Sequence, residues 1–442
     1  MKIFDPKDQV PYLGKLDKPE KIEAAIKACE ENFDREPVTF VTPVTYKDAI
    51  HDSFKNIYNT LMGVPYYNTL IISLDKADLD QANRVRNYLG RVAKKKKRLN
   101  HNADIIFLWN DAPPLADEEK GFYSYAKPTV GEFLKKKGRS MFIANGYNTN
   151  FKPDNHIIFQ DGDIVEDKYS EKIPLSLIFP FRDDDIVVHG VKACYDRVKG
   201  KDKEVTERVK RFFDIYITAL KVVYEKHPNI RGFLEFLSVY DYLLSGEMGM
   251  DASLARKIPF QKDYGIEIAW DSYFYKDPHI IGQVDLDEYD HKHSEPEDLG
   301  QMVEEVGKGL FRNLYDLGSP ELITDRRNFD KSLKLISAIE NQKMQTWSSY
   351  SSYNAFKLSG GEDRLNNQIF KKYLIKAYEY ILVDPEGINP YPGWLSISSL
   401  ISKFKSSIET MKKHYGLEVL KDGIVQKGME IKKLKEIVLL PV

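Results

Sequence analysis

The residues Asn155-His156-Ile157-Ile158-Phe159-Gln160-Asp161-Gly162-Asp163-Ile164-Val165 carry the clearest chemical signal in this chain. A short apolar run rich in β-branched and aromatic residues reads as a buried strand. It ends in two carboxylates separated by a glycine. Paired aspartates at a strand's end, with glycine allowing close backbone approach, can hold a hard divalent cation against a phosphate. Asp-x-Asp also arises by chance, and the competing account is a surface turn with two solvated acids.

The segments before this pair imply how it is positioned. Val38–Val41 reads as a strand ending at Thr42-Pro43, and Tyr46–Met62 has helical spacing. Thr69–Leu74 reads as a second strand, ending at Asp75. A polar helix follows over about Leu79–Arg91, and Asp104–Leu108 is a third strand. Lys137–Tyr147 reads as a helix leading to the strand before Asp161. This alternation predicts an α/β domain with a mostly parallel, Rossmann-like sheet. Ligands bind such sheets beyond the carboxyl ends of their strands, where Pro43, Asp75 and Asp161 stand.

Composition narrows the function classes. The 442 residues are 42% hydrophobic and 30% charged, with a net charge of −2. That is ample core material and no global attraction for nucleic acid or anionic membrane. The run Lys94–Arg98 is expected to end a polar helix as solvated charge, since no aromatics interleave with it. Cys29 and Cys194 make neither a disulfide framework nor a thiolate zinc site. With no apolar leader or spanning stretch visible, a cytoplasmic protein is expected.

From Lys331 onward the pattern turns helical. Apolar stripes run through Phe370, Tyr373, Leu374, Ala377 and Ile381, then through Leu400, Ile401, Phe404, Ile408 and Met411. A division into 1–330 and a helical C-terminal region, 331–442, is expected, the latter packing on the first domain or making a homodimer contact. Trp347–Tyr353 reads as a polar loop, although its aromatics and hydroxyls would also suit a sugar.

Downstream fragments fall into one order: Lys136-Lys137-Gly138; Asp161-Gly162-Asp163; Val191–Arg197; Val205-Thr206-Glu207; Ser245-Gly246-Glu247; Ile258-Pro259-Phe260; Asp263–Ile268; Tyr289–His293; and Asp298-Leu299-Gly300. Over roughly Lys136–Leu310 this order resembles the glucosyl-3-phosphoglycerate synthases, retaining glycosyltransferases of the GT-A fold. The resemblance implies Mg²⁺ or Mn²⁺ held by Asp163, His291 and Asp161. It implies nucleotide-sugar contacts from Lys137 and Asp161, alongside the strand-end residues Pro43 and Asp75. Glu267 and Glu247 would face the reacting sugar as the catalytic carboxylates. Thr206 and His293 would face a small hydroxy-acid acceptor. Without the resemblance, Glu267 would be a solvent-facing helix residue and His291 a loop residue.

The implied activity is metal-dependent transfer of a hexose, glucose by resemblance, to glycerate or 3-phosphoglycerate. The product would be a glycosylglycerate-type compatible solute or its phosphate. Two departures bear on the acceptor. Glu204 stands where the family places a phosphate-binding arginine, and His293 where it places an asparagine. A carboxylate repels phosphate, so glycerate is expected to serve at least as well, unless Lys199, Lys201 or Lys203 compensates. Two alternatives stay open: a sugar-nucleotide nucleotidyltransferase, although Val41–Tyr46 lacks the glycine-rich loop it needs, and an inactive GT-A-like interaction protein.

Overall fold

The computed structural model describes residues 6–96, 103–165, 168–291, 296–358, 360–416 and 418–420. The strands are β1 (Tyr12–Gly14), β2 (Val38–Thr45), β3 (Thr69–Asp75), β4 (Asp104–Trp109), β5 (His156–Phe159), β6 (Gly190–Lys199), β7 (Glu204–Val205), β8 (Met248–Met250), β9 (Ile281–Tyr289) and β10 (Glu418–Leu420). They form one sheet in the order β1-β9-β6-β8-β5-β2-β3-β4-β10, with β7 paired to β6. β2 is parallel to β3 and β5, β3 to β4, and β9 to both β6 and β1. β8 runs antiparallel between β5 and β6, and β10 antiparallel to β4. This mostly parallel sheet with a helical C-terminal region is the α/β architecture expected from the alternation of strands and helices. Its central strands are buried almost throughout, β3 along its whole length, as parallel strands covered by helices must be.

The inserted antiparallel strand has a consequence for the site. The amino end of β8 lies at the same edge as the carboxyl ends of β5, β6 and β9. Glu247, just before β8, therefore joins residues that follow the parallel strands.

The helices that shape the site are α1 (Asp52–Leu61), α2 (Leu79–Lys96), α3 (Lys137–Phe151), α4 (Arg208–Val223), α5 (Ile266–Lys276), α6 (Pro296–Leu317), α7 (Arg326–Tyr353), α8 (Gly360–Val383) and α9 (Ile401–Tyr415). The helical spacing over Tyr46–Met62 is broken at His51, whose Nδ1 accepts from the Ser53 amide and starts α1 afresh. Trp347–Tyr353 forms the last two turns of α7, not a loop. Serines and tyrosines there made a polar loop the natural reading, but α7 gains its stability by packing on α4. α2 carries the start of the Lys94–Arg98 run, whose last two residues lie outside the described set. No described helix is long and apolar enough to cross a membrane.

The C-terminal elements brace the first part of the chain. Trp394 is buried, donates from Nε1 to the Phe142 carbonyl of α3 at 3.0 Å, and stacks on Phe142 at 4.7 Å. Phe404 of α9 closes the other side at 4.5 Å. Gly146, one turn along α3, leaves the space for the indole: a Cβ there would lie 2.2 Å from the ring. Trp394→Ala should cost about 3–5 kcal/mol of stability, since the cavity would lie between two helices with little freedom to collapse. Urea unfolding of the variant against wild type measures it.

Candidate active site and metal centre

Asp161, Glu247 and His291 bring one ligand atom each to within 4.8 Å of one another. Asp161 follows β5, His291 follows β9, and Glu247 precedes β8. An antiparallel bridge between Ile164 and His291, with the Val165 amide on the Asp290 carbonyl at 3.0 Å, ties the two loops together. Gly246 lets the pair pack against the backbone, since a Cβ there would lie 2.4 Å from Asp161 Oδ2 and 2.6 Å from Lys137 Nζ and would push both side chains aside.

Each carboxylate has a distinct environment. Glu247 is fully buried and accepts from Tyr195 Oη at 3.0 Å and Ser245 Oγ at 3.3 Å. Burial alone would raise its pKa, but His291, Lys137 and Tyr195 hold it down at about 2. Glu267, on the first turn of α5, is buried rather than solvent-facing. Lys137 Nζ, at the start of α3, reaches Asp161 Oδ1 at 2.8 Å and Glu267 Oε1 at 3.0 Å. Burial opposes the charge on Lys137, yet Asp161 and Glu267 outweigh it and keep the amine protonated. Glu267 is raised by burial despite Lys137. Asp163 is also raised, by burial and then Asp161, against His291 and Arg197.

The donor set fits a hard divalent cation. Two carboxylates and an imidazole suit Mg²⁺ or Mn²⁺. His291 is buried, and among the described residues neither ring nitrogen has a hydrogen-bond partner. Glu247 Oε1 lies 3.5 Å from His291 Nε2, and burial and Arg197 lower the imidazole pKa less than Asp163 and Glu247 raise it.

The structure therefore gathers Asp161, Asp163, His291, Glu247, Glu267 and Lys137 in one locus, with Glu247 beside Asp161 and His291 where Asp163 had been expected. Pro43 sits near the end of β2, its carbonyl 3.2 Å from where a Cβ on Gly162 would stand. Asp75 belongs to a separate buried cluster: Arg139 pairs with it and with Asp111 at 3.0 Å, and the Lys76 amide donates to it at 2.7 Å. Thr206 is buried, 3.5 Å from Asp290 Oδ1 and 3.3 Å from the Arg197 carbonyl. His293 lies outside the described residues. Glu204 is half-buried, 3.9 Å from Arg208. Lys203 pairs with Glu288, while Lys199 and Lys201 are exposed. Sequence reasoning missed Tyr195, Arg197 and Asp290. The first two sit in the Val191–Arg197 fragment, where strand alternation points both to one face.

No family model matches the chain. Glucosyl-3-phosphoglycerate synthase of Persephonella marina is 24% identical over 388 residues, spanning 85% of this chain and 89% of the relative. Its namesake in Methanococcoides burtonii is 26% identical over 278 residues, 61% and 64% of the two chains. The chain is similar to glucosyl-3-phosphoglycerate synthases. A crystal structure of the Mycobacterium tuberculosis enzyme with Mn²⁺, UDP and phosphoglyceric acid is 18% identical, covering 69% of this chain and 86% of that one, with a TM-score of 0.46.

Beneath the site, Lys192 of β6 and Asp271 of α5 form a fully buried pair at 2.7 Å, one turn along α5 from Glu267. Lys192→Met should destabilise the fold by about 3–5 kcal/mol by leaving a buried carboxylate unpaired, and Lys192→Met with Asp271→Leu by clearly less. Denaturant unfolding of the two variants checks the ordering.

Proposed function

We propose that the protein is a metal-dependent retaining hexosyltransferase that moves glucose from a nucleotide-sugar to glycerate or 3-phosphoglycerate. The carrying observation is the convergence of Asp161, Glu247 and His291 beside Lys137 and Glu267 at the carboxyl edge of the sheet. The names of the relatives support the same reading.

In this reading Asp161, His291 and Asp163 or Glu247 would hold Mg²⁺ or Mn²⁺, which would supply Lewis-acid stabilisation of a departing diphosphate. Lys137 adds a fixed cation beside the leaving group, where charge develops as the glycosidic bond breaks. Pro43 and Asp75 mark the strand ends along which the nucleotide lies. Glu267 faces the sugar and the acceptor hydroxyl, and Thr206 lies on the acceptor side. The hydroxyl attacks from the face the diphosphate leaves, so configuration is retained. A reducing cytoplasm suits the two buried free thiols.

Asp163→Asn should lower turnover by about 10²–10³ at saturating donor with the fold intact, since it removes charge from the preorganised loop. Product formation from UDP-, GDP- and ADP-glucose, with circular dichroism as the fold control, measures this; wild-type turnover would remove Asp163 from the site.

His291→Ala should weaken metal activation far more than His293→Ala. Titration of activity with Mg²⁺ and Mn²⁺ after chelator treatment compares them, and an unchanged apparent metal affinity in His291→Ala would place the nitrogen ligand elsewhere.

A further inference from the structure

The three donors that could hold a cation, Asp161, Glu247 and His291, are each held in place differently. Asp161 has Lys137 on both carboxylate oxygens, at 2.8 and 3.1 Å. Glu247 and His291 both lean on one residue of β6, Tyr195.

Tyr195 is buried, and its hydroxyl donates to Glu247 Oε2 at 3.0 Å. Ser245 Oγ donates to the same oxygen at 3.3 Å. With Oε2 so engaged, Oε1 is the oxygen turned toward His291 Nε2, at 3.5 Å, and the Asp161 amide, at 3.4 Å. A carboxylate with one oxygen fixed by donors presents the other in a defined direction, which is how hydrogen bonds orient metal ligands.

His291 is oriented by a different means. A ligand histidine ordinarily donates its far N–H to a carboxylate or a carbonyl. Among the described residues neither ring nitrogen of His291 has such a partner. Its ring instead meets Tyr289 edge-to-face, with centroids 5.0 Å apart. Tyr289 in turn stacks on Tyr195 at 4.4 Å, and Tyr242 packs on Tyr195 at 4.2 Å.

The pairing of β6 with β9 builds this column. β6 advances from Cys194 to Asp196 while β9 advances from Asp285 to Glu288, so β9 carries one extra residue. Asp287, inside the bulge, has a φ of 66°. The bulge sets Tyr289 opposite Arg197, on the face that Tyr195 shares. Without the extra residue Glu288 would stand there, and Tyr289 would point to the other face.

We propose that Tyr195 is the positioning residue of the cation site: its hydroxyl aims Glu247 Oε1, and its ring, through Tyr289, sets the plane of His291. The proposal rests on the metal-dependent reading and deepens it by naming the side chain on which two of the three donors depend.

Mn²⁺ binding to the full-length protein, followed by the paramagnetic resonance of the free ion, reads the donors without requiring turnover. Tyr195→Phe keeps the ring and removes the hydroxyl, and should raise the Mn²⁺ Kd by about tenfold to a hundredfold. Tyr195→Leu removes the stacked ring as well and should weaken binding further. Tyr58→Phe on α1 deletes a buried hydroxyl bond to the Leu89 carbonyl at 3.2 Å, and as the control should leave the Kd unchanged. Urea unfolding without metal reports whether each variant is folded, and Tyr195→Phe carries the test where Tyr195→Leu is not. A folded Tyr195→Phe with the wild-type Mn²⁺ Kd overturns the assignment, as does an equal loss in Tyr58→Phe. A wild type that binds no Mn²⁺ overturns the metal reading together with it. Tyr195-dependent Mn²⁺ binding without glucosyl transfer overturns the transfer reading alone and leaves the assignment standing.

Discussion

Four carboxylates crowd one buried edge of the sheet, and the rest of the site is arranged around that cost. Asp161, Asp163, Glu247 and Glu267 converge where water is largely excluded, and unpaired charges in such a place cost several kcal/mol each. Lys137 answers two of them, Asp161 and Glu267, through contacts of 2.8 and 3.0 Å. Arg197 and His291 face Asp163, and Tyr195 and Ser245 donate to Glu247. A divalent cation among Asp161, Glu247 and His291 would complete the balance. The same charges that make the folded edge expensive would favour a bound cation, which would link binding to stability.

That edge exists because of two long-range choices in the chain. Inserting β8 antiparallel between β5 and β6 brings Glu247 beside Asp161, 86 residues away in sequence. Bracing α3 from the C-terminal side keeps Lys137 in register. Trp394 and Phe404 clamp Phe142 on α3. On the other flank, Tyr350 and Lys357 clamp the β6–β7 hairpin that carries Arg197 and leads into Thr206. The helical region is thus joined to both flanks of the site, and cannot shift without moving one of them.

What could be read from the sequence follows the range of the interactions. The strands β2, β3, β4 and β5 and the helix from Lys137 announce themselves by local periodicity, and Asp161 by its place at a strand end. His291, Glu247 and Glu267 emerged only through the order of scattered fragments, because nothing local distinguishes a ligand histidine from a loop histidine. The partnership of Glu247 with Asp161 and His291 was invisible, since it depends on where a three-residue strand inserts. Asp75 shows the converse: its place at a strand end was legible, but its engagement by Arg139, 64 residues on, was not. Trp347–Tyr353 was misread because polar helices declare themselves by what they pack against, and α4 lies more than 120 residues earlier.

The two carboxylates expected to be catalytic end in opposed environments, and this separates their work. Glu247 is surrounded by donors and cations: Tyr195, Ser245, His291 and Lys137 all favour its charged form. A carboxylate held so firmly ionised is suited to binding a cation and poorly suited to accepting a proton. Glu267 has one cationic partner, Lys137, shared with Asp161, and burial favours its neutral form. Environments that push two neighbouring acids apart are how one site divides ligand and acid–base tasks. The surroundings of Glu267 thus suit hydrogen bonding to a hydroxyl as charge changes, while those of Glu247 suit a cation. The division follows from β8: had that strand run parallel, Glu247 would have emerged at the opposite edge, and Asp161 and His291 would face a cation without it.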